Sequence, residues 1–242
     1  MTAARLTLLG SFDVSAADVP AVVSSPGTQR LVVLLALRER VVSRSAIAGS
    51  LWPDATTEQA ATRLRAALAR LDPAARRAVE ISATGVRLDE SCVVDYRDAR
   101  HEAHDLLEPE HPSPRRTAAQ TRESIALLCL ELLPDSYDDW VLDEAEDWRL
   151  LRAAALEALT ASLSADDRPH LAMSAARAAI RNEPLRETAH AALIRLHLIA
   201  GNQHEALRVY ERFAAALQEA LALSPSAILR ELVTPSAAAT RE

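Results

Sequence analysis

The chain contains no lysine, so all 27 of its Lys-or-Arg cations are arginine. Glycine is scarce at five residues, aromatic side chains make up 3%, and there are two cysteines. Each shortage removes a class of chemistry. Five glycines leave little material for a phosphate-cradling loop, and neither a Walker motif nor a GxSxG nucleophile turn occurs. No enzyme is expected. Cys92 and Cys129 are isolated and lack metal-ligand spacing, which suits reduced thiols in the cytoplasm. The opening "MTAARLTLLGSFDV" is too short in apolar residues for a secretory signal, and no stretch approaches a membrane span. A cytoplasmic protein without a membrane partner follows as the expectation. His101 and His104 stand beside Asp105, but "HEAHD" is not the spacing of a zinc-binding helix. Neither a metal nor any other cofactor is expected.

What the chain has in quantity is Ala and Leu. Hydrophobic residues make up 49% and charged residues 25% of 242, enough for one large or two ordinary domains. With so little glycine this composition favours helix over sheet, and a mainly α fold is expected. The Ala/Arg bias also points to a high-GC genome.

Charge is unevenly placed. The net charge is −7, yet residues 28–77 hold nine arginines (30, 38, 40, 44, 63, 65, 70, 76 and 77) against Glu39, Asp54, Glu58 and Asp72. That segment is therefore +5 and the remainder −12. Such asymmetry suggests a nucleic-acid-facing part and an acidic remainder, although arginine on ordinary solvated helix faces would look the same.

Pattern along the chain supports a division. "RLTLLGSFDV" alternates and breaks at Gly10, as a short strand pair does. Apolar Leu31, Leu34, Leu35 and Val41 after Pro26-Gly27 predict a buried helix over 28–40. Ser43 can cap a second helix, "RSAIAGSLW", which stops before Pro53. Thr56 with Gln59 is a capping-box pattern opening a third helix that ends near Asp72-Pro73. After a polar stretch, "AVEISATGVRLDE" reads as a hairpin turning at Thr84-Gly85. Three helices and then a hairpin is the order of a winged helix-turn-helix. Residues 108–116, "EPEHPSPRR", are the best linker candidate. Beyond them the chain reads as helical, with a repeat at a spacing of 34. Leu159, Leu163, Ala172, Ala176 and Ala179 are answered by Leu193, His197, Ala206, Tyr210 and Phe213. These offsets resemble a tetratricopeptide pair, degenerate because Gln218 stands where a closing proline is expected; a generic antiparallel bundle is the alternative.

Two segments carry a family resemblance. "GTQRLVVLLALRERVVSRSAIAGSLWPDATTEQAATRLRAALARL" resembles the DNA-binding half of SARP-type bacterial antibiotic regulatory proteins. "LLPDSYDDWVLDEAEDWRLLRAAALEAL" and "NEPLRETAHAALIRLHLIAGNQHEALRVYERF" resemble the bacterial transcriptional activator domain that follows it. The resemblance implies an OmpR-like winged helix-turn-helix over 1–98 and a tetratricopeptide-like activator domain over 99–242. It implies a transcriptional activator acting on double-stranded promoter DNA with RNA polymerase holoenzyme, for a biosynthetic or secondary-metabolite pathway. It also implies that the third helix lies in the major groove, that the Asp54–Ala55 turn faces the polymerase (a merely solvated turn being the alternative), and that a head-to-tail homodimer suits direct repeats. A repressor, or a protein-interaction regulator with weak or lost DNA binding, remains the alternative.

Wound at 100° per residue, the third helix puts Leu64, Leu68 and Leu71 on one face, flanked by Ala60, Ala61 and Ala67. The opposite face shows Gln59, Thr62, Ala66 and Ala69, with Arg63, Arg65 and Arg70 on its shoulders. Small central residues let a helix approach the groove floor, and arginines at the edges reach guanine edges or phosphates. Thr62, Arg63 and Arg65 are the expected readers and Arg70 a phosphate contact; pairing of Arg63 or Arg70 with Glu58 or another acid is the alternative. Ser43 and Arg44 can hold a phosphate at the second helix, and Arg87 can reach backbone or minor groove beyond the hairpin turn. Trp52 is expected in the core. His190 and His197 are expected to pack. The acidic run "YDDWVLDEAEDW" should face away from DNA.

Overall fold

The structure, a computed structural model, describes residues 4–16, 19–20, 25–108 and 116–234. Residues 109–115 of the expected linker lie outside these. The chain opens with β1 (Ala4–Thr7), β2 (Asp13–Ala16) and β3 (Val19–Pro20). Four helices follow: α1 (Pro26–Leu37), α2 (Arg44–Leu51), α3 (Thr57–Ala69) and α4 (Pro73–Ala78). Next come the hairpin β4 (Val79–Ile81) and β5 (Val86–Leu88), then β6 (Val93–Val94). The rest is helical: α5 (Asp95–Leu107), α6 (Ala118–Leu128), α7 (Asp139–Ala165), α8 (Pro169–Asn182), α9 (Glu187–Ile199), α10 (Gln203–Leu221) and α11 (Ala227–Val233). The protein is mainly α, as its composition requires.

The chain divides into two compact units, and the division does not follow chain order. One is Met1–Ala99 with Glu131–Trp148; the other is Arg100–Leu130 with Arg149–Glu242. A single boundary at 98/99 therefore differs from the packing over residues 131–148.

The first unit is built on a sheet in the order β3-β2-β1-β6. β1 pairs antiparallel with β2, the chain reversing through Gly10 at φ 78°, and parallel with β6. β6 is only two residues long and left no period in the sequence. α1 starts on Ser25, whose hydroxyl accepts from Thr28 N–H, with Pro26 in the first turn. It is buried on nearly every side, through Leu31, Val32, Val33, Leu34 and Leu35. It ends at Leu37, short of the expected 40, and Arg97 takes up its last carbonyls: Nε donates to Ala36 at 2.9 Å and Nη2 to Leu35 at 3.2 Å.

The returning segment joins this unit through backbone and side chain. Gly10 N–H donates to Glu131 at 2.7 Å, and Leu133 N–H to Leu8 at 2.9 Å. Arg30 grips Asp138 with two hydrogen bonds, of 2.9 and 2.6 Å. Buried Tyr96 meets Trp148 edge-on at 5.6 Å and donates its hydroxyl to Glu144 at 2.7 Å. Asp95, at the head of α5, accepts from Leu8 and Leu9 N–H; burial nonetheless raises its carboxyl pKa above the ordinary value.

In the second unit, the 34-residue spacing corresponds to burial. Leu159, Leu163, Ala172, Ala176 and Ala179 are buried, as are Leu193, His197, Ala206 and Phe213, with Tyr210 half-buried. The alanines let α8, α9 and α10 pack closely. Buried Arg152 donates Nη1 to the Leu130 carbonyl at 2.9 Å, supplying a cation beyond the C-terminus of α6.

Candidate nucleic-acid interface

The two central helices of the first unit owe their positions to their caps. Ser43 caps α2 by accepting from Ala46 N–H at 3.2 Å. α2 stops at Trp52, before Pro53. α3 opens on a complete capping box: Thr56 Oγ1 accepts from Gln59 N–H, and Gln59 Oε1 accepts from Thr56 N–H, both at 3.3 Å. The residues between them make the turn of the helix-turn-helix, closed by Ala55 N–H on the Trp52 carbonyl at 3.1 Å.

α3 buries Ala60, Leu64 and Ala67. Leu68 and Leu71 are only half-buried and Ala61 is exposed, so the buried face is rotated from the expected Leu64–Leu68–Leu71 stripe towards Ala60 and Ala67. The reason is packing: α3 lies against α1 and α2, and small alanines permit the approach. The outward direction consequently falls on Thr62, Arg65 and Ala69, with Ala66 beside them, all exposed. On this face Thr62 Oγ1 donates to the Glu58 carbonyl at 2.9 Å and accepts from Arg65 Nη2 at 2.9 Å. The guanidinium of Arg65 is thus oriented by its own helix.

The three arginines of α3 do not act as one set. Arg65 belongs to the outward face. Arg63 lines a cleft of about 550 Å³ with Asp54, Ala55 and the residues Tyr137, Asp138, Asp139, Trp140 and Asp143. Arg70 is the exposed C-cap residue. Gln59 is exposed, but its carbonyl oxygen is committed to the capping box. Trp52 is half-buried, not a core residue, and stands in the wall of the same cleft. The expected polymerase-facing turn, Asp54 and Ala55, therefore opens onto an acidic and aromatic surface.

The hairpin of β4 and β5 stands where the sequence order places the expected wing. It is fastened to the strand-like residue before α2: Val42 and Val86 exchange two backbone hydrogen bonds, each 2.9 Å. Gly85 makes this approach feasible, since a Cβ there would lie 2.3 Å from the Val42 carbonyl oxygen. The turn accordingly centres on Ala83-Thr84, one residue before the expected Thr84-Gly85, with Ser82 N–H closing on the Gly85 carbonyl. Arg44 holds the wing from the other side, donating Nη2 to the Ser82 carbonyl at 2.9 Å and Nη1 to that of Ala83 at 3.4 Å. Arg87 is clasped within the wing by Glu80 at 2.8 Å and Glu90 at 2.7 Å. Donating these hydrogen bonds to Glu80 and then to Glu90 raises its guanidinium pKa.

Two features leave no mark in the linear sequence. α4 was hidden in a polar stretch, and it carries exposed Arg76 and Arg77 immediately after α3. Their charge was legible, but a helix of six residues has too few turns to show a period. The cleft was illegible because its walls are some 80 residues apart in the chain.

Among the described residues, no group of three or more His, Cys, Asp or Glu is placed to hold a metal. His101 pairs with Asp105 at 3.7 Å. His190 is buried, with Nε2 on the Pro184 carbonyl at 2.9 Å and its ring 4.3 Å from that of Phe213. None of the described helices is long and apolar enough to cross a membrane.

Residues 93–234 match the family model described as bacterial transcriptional activator domain. Among solved structures, Mycobacterium tuberculosis EmbR in complex with a low-affinity phosphopeptide shares the fold at a TM-score of 0.65 and 20% identity. The match covers 96% of this chain and 64% of that one, so the chain spans less than two thirds of the EmbR chain's length. No curated protein matches the sequence.

Proposed function

The chain belongs to the bacterial transcriptional activator domain family, and on that premise we propose that it is a SARP-type, sequence-specific DNA-binding activator working at promoters beside RNA polymerase. The observation that carries this reading is the outward face of α3. Thr62, Ala66 and Ala69 form a low ridge, and Arg65, braced on Thr62, stands beside them with donors left to offer a guanine edge. Arg70, the exposed C-cap residue of α3, contacts a phosphate through its guanidinium, and Ser43 marks the N-terminus of α2, whose free backbone N–H groups suit a second phosphate. Arg44 acts chiefly by holding the wing. Asp54 and Ala55 face the polymerase together with Asp139 and Asp143, so the surface that docks there is basic. No step of this function calls for catalysis or a cofactor. A homodimer on direct repeats and a biosynthetic target pathway accompany the proposal.

Affinity for promoter fragments should fall steeply with salt, and Arg65→Ala should weaken the cognate site by about 1–3 kcal/mol while relaxing base preference. Footprinting across the genome, followed by a salt series on the best site, measures both. Unchanged affinity and preference in Arg65→Ala would mean that α3 presents a different reading face. The acidic cleft also favours a second reading, in which a basic protein partner is the main ligand. Absence of salt-sensitive binding to any duplex, beside stable capture of one partner, would select it.

A further inference from the structure

A wing that touches DNA needs positive charge to offer, and this one has almost none. Residues 79–92 carry Glu80, Asp89 and Glu90 against the single cation Arg87, a net charge of −2. Residues 57–78, covering α3 and α4, carry five arginines against Glu58 and Asp72, a net charge of +3. The contrast is built into the geometry as well as the count. Glu80 stands directly opposite Arg87 in the β4–β5 register, and Glu90 closes on a second nitrogen of the same guanidinium. Pairs as exposed as these add little stability, so their consequence lies in the charge they occupy. Nor does the wing swing clear of its place: Val42, Gly85 and Arg44 pin it beside α2.

We propose that the wing is an electronegative strut in which Glu80 and Glu90 withhold Arg87 from phosphate, lowering affinity for arbitrary duplex and leaving discrimination to α3. The inference rests on the DNA-binding reading and adds to it a pair of specificity-determining residues. Its physical basis is that non-specific affinity comes almost wholly from neutralised phosphates. A −2 surface beside the duplex subtracts from that term while leaving base contacts on α3 untouched.

The test is fluorescence anisotropy of the full chain on a labelled random-sequence duplex across a sodium chloride series, with the best selected site alongside. In E80Q/E90Q the released Arg87 should steepen the slope of log affinity against log salt by about 0.9, the value of one phosphate contact. Random-duplex affinity should rise severalfold, and the ratio of selected to random affinity should fall, with an unchanged thermal melt. Arg87→Gln should leave the wild-type slope where it is. Equal slopes for wild type and E80Q/E90Q would overturn the proposal. So would a loss of about one unit of slope in Arg87→Gln, because Arg87 would then already be on phosphate. A wild type with no salt-dependent binding to any duplex would defeat the DNA reading itself. The wing would then be judged on heparin, where E80Q/E90Q must elute at higher salt than wild type, and equal elution refutes the strut.

Discussion

Arg63 and Arg65 lie two positions apart in one helix and have different surroundings. A rotation of the buried face by one alanine sends Arg65 outward and Arg63 towards Asp54, Asp139 and Asp143. Single residues also set the pH response. His190 uses Nε2–H on the Pro184 carbonyl, which leaves Nδ1 buried and, among the described residues, without a hydrogen-bond partner; His197 Nδ1 is in the same condition. Protonation would place an unpaired charged N–H in the interior. Burial accordingly holds both imidazoles below their ordinary value of about 6.5, with Arg212 and Glu187 near the first and Arg177 and Glu205 near the second. The unfolded chain therefore binds more protons just below that value, and stability falls as pH drops through it. Each histidine contributes a slope of up to about 1.4 kcal/mol per pH unit in its window. Urea unfolding at pH 7.5 and 5.5 should show the loss, and His190→Gln should reduce it. Equal stability at both pH values would contradict the assignment.

At the scale of the element, the wing is the clearest case of structure set by one close approach. Gly85 sits where any Cβ collides with the Val42 backbone, whereas nothing lies within 4 Å of a Cβ added to Gly49 in α2. The same substitution should therefore have opposite signs at the two sites. Gly85→Ala should destabilise by about 1–3 kcal/mol through overpacking. Gly49→Ala should stabilise by about 0.5–1 kcal/mol, because a helix interior favours Ala. Denaturant midpoints of the two variants decide it; two shifts of the same sign would show that the wing gives way. The caps of α2 and α3 are legible in the sequence itself, since a Thr-to-Gln spacing of three at the latter states its own hydrogen bonds. β6 and α4 are not. Two and six residues carry no period, and both elements are held by neighbours from elsewhere in the chain.

For the whole molecule, the decisive fact is that residues 131–148 complete the first unit. A fragment of residues 1–98, the division that linear reading suggests, would lose the partner of the Leu8 carbonyl, the carboxylate on Arg30 and the Trp148 ring against Tyr96. We expect that fragment to expose apolar surface, bind a hydrophobic dye and melt below the intact chain. A cooperative melt at the temperature of the intact chain, without dye binding, would show that the returning segment is dispensable.

Composition and local spacing were enough to decide that the chain is helical, where its central helices begin, and which 50-residue stretch holds its positive charge. Those properties depend on near neighbours, so a linear string carries them. The direction in which each arginine of α3 points, the pairing of Arg87 with Glu80 and Glu90, and the return of residues 131–148 to the first unit were decided only in three dimensions. They depend on which distant surfaces have room for one another: an alanine face that lets α3 turn, a glycine that lets the wing close on Val42, and a backbone edge at Leu8 that a remote segment can satisfy.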